Sequence, residues 1–159
     1  MQDSFFWYIR HTGGRATTKE KGETVLLVLD ELRYSEEHIW VRREGNHTVT
    51  IGVTDYAQSE LGELDYVELP NEGDELVYCE PFGTVECSKV VTDLYAPVCG
   101  RVVAVNQDVI DTPALINDSP YKRGWVIRAK LLAVEEIDML MSADDYEEYV
   151  LTTAREQQL

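Results

Sequence analysis

Glu80-Pro81-Phe82-Gly83-Thr84-Val85-Glu86-Cys87-Ser88-Lys89-Val90-Val91-Thr92-Asp93-Leu94-Tyr95-Ala96-Pro97-Val98-Cys99-Gly100 holds two strand-forming runs separated by two polar residues. β-branched residues favour the pleated chain, and a two-residue polar break between such runs is the pattern of a tight hairpin. Lys89 then sits at or beside the hairpin tip. It is the only lysine between Lys21 and Lys122. An isolated lysine on a turn is accessible and suits an attachment point, although most turn lysines are simply solvated.

The same grammar extends in both directions. His38 to Arg42 and Thr48 to Val53 flank Glu44-Gly45-Asn46, which reads as a hairpin loop. Asp55 to Leu61 reads as a short helix, capped by Thr54 or Asp55 and ended by Gly62. Strands are expected at Tyr66 to Leu69, Glu75 to Tyr78, Gly83 to Cys87, Val90 to Tyr95, Gly100 to Val105 and Gly124 to Leu131. Many short strands at this spacing define an all-β sandwich or barrel. Beyond Glu135 the period changes: Ile137, Leu140 and Met141, then Tyr146, Tyr149 and Val150, recur three and four apart, as helix faces do. Ser142 with Asp145 is a capping arrangement for the last helix.

Three segments follow: an atypical extension at 1–22, a sandwich domain at 23–133 and acidic helices at 134–159. The extension carries the aromatic run Phe5-Phe6-Trp7-Tyr8-Ile9 and a local charge of +2, from Arg10, Arg15, Lys19 and Lys21 against Asp3 and Glu20. Two readings of it stay open, a loosely ordered terminus or an aromatic knot that docks on the domain or on a partner. The whole chain of 159 residues has 14 Lys+Arg against 30 Asp+Glu, a net charge of −16. That charge repels phosphate backbones, so neither nucleic acid nor an anionic membrane is an expected partner. No apolar run approaches the ~20 residues of a membrane helix. Cys79, Cys87 and Cys99 leave one thiol unpaired, and no secretory leader is visible at the start, so a reducing cytoplasm is expected. No Cys-x-x-Cys occurs and His11, His38 and His47 do not cluster with the cysteines, so no metal site is expected. His38, beside Trp40, reads as a structural histidine. No nucleophile–histidine constellation suggests a catalytic residue, and Gly13-Gly14 lacks the strand and helix that frame a phosphate loop.

From about Leu32 to Val150 the chain resembles the glycine cleavage system H-protein family of lipoyl carriers. The resemblance lies in Leu32-Arg33-Tyr34-Ser35-Glu36-Glu37-His38, in Thr50 to Gln58, in Leu61-Gly62-Glu63, and in Tyr66 to Pro70. It continues through Val85-Glu86, Lys89, Asp93 to Val98, Pro120-Tyr121 and Gly124-Trp125. It implies a mainly β, barrel-sandwich hybrid of two antiparallel sheets with C-terminal α-helices. It also implies a carrier that is a substrate of other enzymes and not itself an enzyme. Lys89 corresponds to the lysine that bears lipoate through an amide, Glu86 to the acidic position recognised by the lipoate-attaching enzyme, and Asp93 to a carboxylate of the arm cleft. A biotin carrier shares the hairpin but sets its lysine between methionines, whereas Ser88 and Val90 flank Lys89 here. An unmodified interaction module is the reading that remains if Lys89 is left bare.

Three positions depart from the family. Ile39 stands where the His-x-Trp block usually carries glutamate, and Cys87 and Cys99 stand where serine is common. Losing a carboxylate removes the partner an ammonium needs on leaving water. The thiols are either near-isosteric fillers or a relay for sulfur exchange near the arm. These departures lean the sequence expectation toward the H-like lipoate-binding branch that serves a heterodisulfide-reductase-like sulfur-oxidation complex. The alternative is a glycine cleavage carrier working with glycine decarboxylase, aminomethyltransferase and dihydrolipoyl dehydrogenase.

Overall fold

A computed structural model describes residues 14–18, 25–88 and 90–157. Its elements in chain order are β1 (Gly14–Thr18), β2 (Val25–Leu29), β3 (Arg33–Tyr34), β4 (Ile39–Gly45), β5 (Thr48–Val53) and α1 (Asp55–Leu61). Next come β6 (Leu64–Glu68), β7 (Glu75–Leu76), β8 (Pro81–Cys87), β9 (Val90–Tyr95) and β10 (Gly100–Val105). The chain closes with α2 (Gln107–Asp111), α3 (Ala114–Asp118), β11 (Ile127–Leu131), a 3₁₀ turn over Val134–Met139, and α4 (Ala143–Gln157).

Two antiparallel sheets form the sandwich. The larger runs β3-β4-β5-β11-β10-β7 and the smaller β6-β8-β9. Their inner faces share one core, in which Ile51, Val53, Val102, Ile127 and Ala129 of the larger sheet meet Leu64, Val67, Val85 and Leu94 of the smaller. The mainly β sandwich with C-terminal helix is the fold expected from the sequence.

Local signals explain most elements. Thr54 caps α1 by accepting the Ala57 N–H at 3.2 Å, and Gly62 ends it at φ 82°. Ser142 accepts the Asp145 N–H at 3.2 Å at the start of α4, whose Tyr146 and Val150 are buried. The β4–β5 connection falls at Asn46-His47, with φ 51° and 60°, and not at Glu44-Gly45-Asn46. Two successive left-handed residues are what a two-residue hairpin turn between twisted strands requires. Between α1 and β11, α2 and α3 are short helices that the sequence reading left out.

Part of the 1–22 extension is regular structure. Within 1–22, Gly14–Thr18 is a strand that pairs antiparallel with β2, from Gly14 opposite Leu29 to Thr18 opposite Val25. The aromatic run at 5–9 lies outside the described residues. Through β2 the hairpin is anchored to the body. The Tyr34 hydroxyl receives the Leu29 N–H at 2.7 Å and donates to the Leu29 carbonyl at 2.9 Å, while the Tyr121 hydroxyl donates to the Leu27 carbonyl at 2.7 Å. Leu27, Val28 and Leu29 are buried in a second core with Tyr34, Trp40, Tyr56, Tyr121, Tyr146 and Val150. Burying each such aliphatic contributes about 1.5–3 kcal/mol, against about 1 kcal/mol for a hydrogen bond. Packing holds the strand, and the hydroxyls fix its register.

Candidate functional site

The site is the β8–β9 hairpin. Cys87 pairs with Val90, so the strands are joined through Ser88 and Lys89 alone. Lys89 itself lies outside the described residues. Strand alternation sorts the neighbouring side chains onto two faces. On the inner face Val67, Val85 and Thr92 are in register, and nearer the tip so are Leu64, Cys87 and Val90. Val85 and Leu64 are buried, and Cys87 is half-buried against the core. On the outer face one row is Tyr66, Glu86, Val91 and the next is Glu68, Thr84, Asp93.

Glu86 and Asp93 therefore share the outer face of one hairpin, and Glu86 lies in the row nearer the turn. Sequence reasoning missed the open apolar residues: beside them on the outer face Tyr66 is 54% exposed and Val91 60%, and at the tip of the opposite face Val90 is 52% exposed. Large side chains this open, next to a turn, form a surface on which a partner or an alkyl chain can lie. The register could not be read from the sequence, because a bulge between Leu64 and Tyr66 turns Tyr66 outward. Gly83 marks where β8 crosses closest to β6: a Cβ there would stand 2.5 Å from the Glu68 carbonyl oxygen.

The departures fall elsewhere. Ile39 is buried in the sandwich core, in register with Val53, with its N–H donated to Ser35 Oγ at 3.2 Å. Its hydrocarbon is matched to an apolar site. Cys99 stands at the entrance to β10 in the larger sheet. Its Sγ accepts the Tyr78 N–H at 3.4 Å and its own N–H donates to Glu136 Oε1 at 3.0 Å. Cys87 and Cys99 thus belong to different sheets and keep different company. All three thiols are free. Among the described residues no group of three or more His, Cys, Asp or Glu is placed to hold a metal ion, and no helix is long and apolar enough to cross a membrane.

His38 carries the other distinct chemistry. Its Nδ1 is 2.9 Å from the Tyr146 hydroxyl, which is also 2.8 Å from Thr54 Oγ1. Burial lowers the imidazole to about 4, so the ring is neutral and structural.

A β-sandwich that presents a two-residue hairpin tip has the architecture of a carrier domain. The glycine cleavage H-protein family model matches residues 32–153. A glycine cleavage system H protein of Anoxybacillus flavithermus is 52% identical over 120 residues, spanning 76% of this chain and 94% of that relative. The one from Staphylococcus carnosus is 48% identical over 125 residues, spanning 79% and 98%. The crystal structure of a glycine cleavage system H protein from Mycobacterium marinum superposes with a TM-score of 0.69 at 31% identity, covering 80% of this chain and 99% of that one. The chain belongs to the glycine cleavage H-protein family, whose members carry covalent lipoate on a lysine and are not enzymes. These comparisons back the glycine-cleavage alternative better than the sulfur-oxidation expectation. Of the three departures, Ile39 is buried in the core and Cys87 is half-buried against it.

Proposed function

We propose that this chain is the lipoyl carrier of a cytoplasmic glycine cleavage system, with the arm on Lys89. The observation that carries the reading is the two-residue link between Cys87 and Val90, whose only amine-bearing side chain is Lys89. The surroundings fit the group. An alkyl arm laid along the outer face of this turn meets exposed Val91 and Tyr66, so its methylenes have apolar surface to rest on while its end stays free. When bound, lipoate supplies a cyclic disulfide on a long tether, which accepts and releases a group at sulfur.

The chain's own residues supply anchoring and recognition. The paired strands β8 and β9 hold the turn against the core through Val85 and Leu94, which fixes the origin of the tether. Glu86 presents a carboxylate one row below the turn for the lipoate-attaching enzyme, and Asp93 extends the acidic face. Tethering raises the local concentration of the arm's end at each docked partner. Those partners are glycine decarboxylase, aminomethyltransferase and dihydrolipoyl dehydrogenase.

Co-expression with a lipoate-attaching enzyme tests the attachment site. Intact mass is expected to rise by one lipoyl group in the parent, and Lys89→Arg is expected to abolish that rise. A modified Lys89→Arg protein overturns the assignment. The pathway has a separate readout: the lipoylated chain is expected to support exchange of the glycine carboxyl with carbon dioxide by glycine decarboxylase. A lipoylated chain that supports no exchange overturns the glycine reading and leaves the carrier reading intact.

A further inference from the structure

A groove beside β2 is bordered by Leu27, Leu29, Asp55, Asp118, Pro120 and Tyr121, with a volume of about 130 Å³. It is mostly apolar, has room for about one aromatic side chain, and carries two carboxylates; Lys122, exposed, also borders it. It lies apart from the β8–β9 hairpin, and two of its walls, Leu27 and Leu29, precede the residues matched by the family model. The chain before Gly14 is also additional to that match, and it contains the aromatic run Phe5 to Ile9 followed directly by Arg10.

We propose that this groove is the docking site of the chain's own N-terminal aromatic segment, with a ring from Phe5 to Tyr8 seated between Leu27, Leu29 and Tyr121 and Arg10 set against Asp55 and Asp118. Three observations meet here. The first is entry: Gly14 is in register with Leu29, so the segment leaves β1 beside a wall of the groove. Ile9 is five residues away, a span of at most about 17 Å, so the run is in reach and the distant hairpin tip is not needed to explain it.

The second observation is charge. Arg10 follows the aromatic run directly, and two carboxylates, Asp55 and Asp118, border the groove together with Lys122. Among the described residues the Asp55 carboxylate has hydrogen bonds from Gln58 Nε2, at 3.0 Å, and from the Leu27 amide. Burial pushes its carboxyl up, and an arginine arriving beside it would oppose that shift. The third is fit: a site for one ring suits an extended aromatic segment and is too small for a helix or a folded partner. The strap so formed secures the β1–β2 hairpin over the second core, and it does not depend on the carrier reading.

The full-length chain tests it. With leucine methyls labelled, nuclear Overhauser contacts are expected from aromatic protons of residues 5–8 to the methyls of Leu27 and Leu29. Quenching of Trp7 by acrylamide, taken as the difference between the parent and Trp7→Phe, is expected to be several-fold weaker than for free tryptophan. Arg10→Gln and Asp118→Asn are expected to weaken that protection each alone, and together no more than either. Absent contacts with Trp7 quenched like free tryptophan overturn the proposal and leave the segment available to a different partner. Contacts that persist with fully additive substitutions overturn the Arg10 pairing.

Discussion

His38 sits at φ 67°, half-buried among the rings of Tyr56, Tyr146 and Tyr149, at a position where glutamine or alanine would be strained and asparagine would not. Its imidazole is lowered from an ordinary 6.5 to about 4, so the folded state prefers the neutral ring. The sign follows directly: its contribution to stability is fully present above about pH 6.5 and is lost as the pH falls through 4. The full difference is at most about 3.5 kcal/mol, at ~1.4 kcal/mol per unit. In His38→Asn the midpoint of thermal unfolding is expected to fall less steeply between pH 6.5 and 4 than in the parent. An unchanged slope would assign the acid sensitivity to carboxylates alone. The sequence marked this histidine as structural because it stood beside Trp40. Its partner Tyr146, 108 residues away, was beyond any local pattern. Ile39 shows the reverse case, since the identity of the residue is plain in the sequence but its buried setting is not.

β2 is the element on which the second core depends. Tyr34 offers one hydroxyl to both the N–H and the C=O of Leu29, so Tyr34→Phe takes this acceptor from the buried Leu29 N–H, while the Leu29 carbonyl keeps the Leu32 N–H at 3.3 Å. The expected cost is about 1–3 kcal/mol, read as a lowered denaturation midpoint together with faster hydrogen exchange at Leu29. Exchange unchanged at Leu29 would show that packing alone holds the strand. Elements were legible in the sequence where alternation and turn residues coincided: β9 and β10 have the bounds that Val90 to Tyr95 and Gly100 to Val105 indicated. α2 and α3 were not, because five residues make little more than one turn and display no period. β1, Gly-Arg-Ala-Thr-Thr, has no apolar alternation and is a strand because β2 lies beside it. The hairpin that carries Lys89 was the clearest feature of all, whereas the apolar skin around it depended on a bulge that leaves no mark in composition.

Over the whole molecule the −16 is unevenly spread. The outer face of the larger sheet sets Arg42, Arg128, Arg101 and Lys130 among two carboxylates, Glu44 and Glu75. The outer face of the smaller sheet bears Glu68, Glu86 and Asp93 beside the turn. A partner with a basic surface is steered toward the hairpin side, so the rate of lipoate attachment is expected to fall several-fold between low and high salt. A rate insensitive to salt would reduce the charge to a matter of solubility. The second core has an effect at the other end of the pH scale. Tyr34 and Tyr146 stack with ring centroids 4.5 Å apart, and Tyr121 lies in the same cluster. Burial raises all three phenols well above their ordinary value near 10. Their stabilising contribution is whole below pH 10 and drains away as alkali draws protons from the unfolded chain. These three rings therefore stay dark at the tyrosinate absorption band while the core is closed, and they ionise together when it opens. The chain carries its own optical alarm for alkaline collapse, and that absorbance step is expected to coincide with the loss of ellipticity.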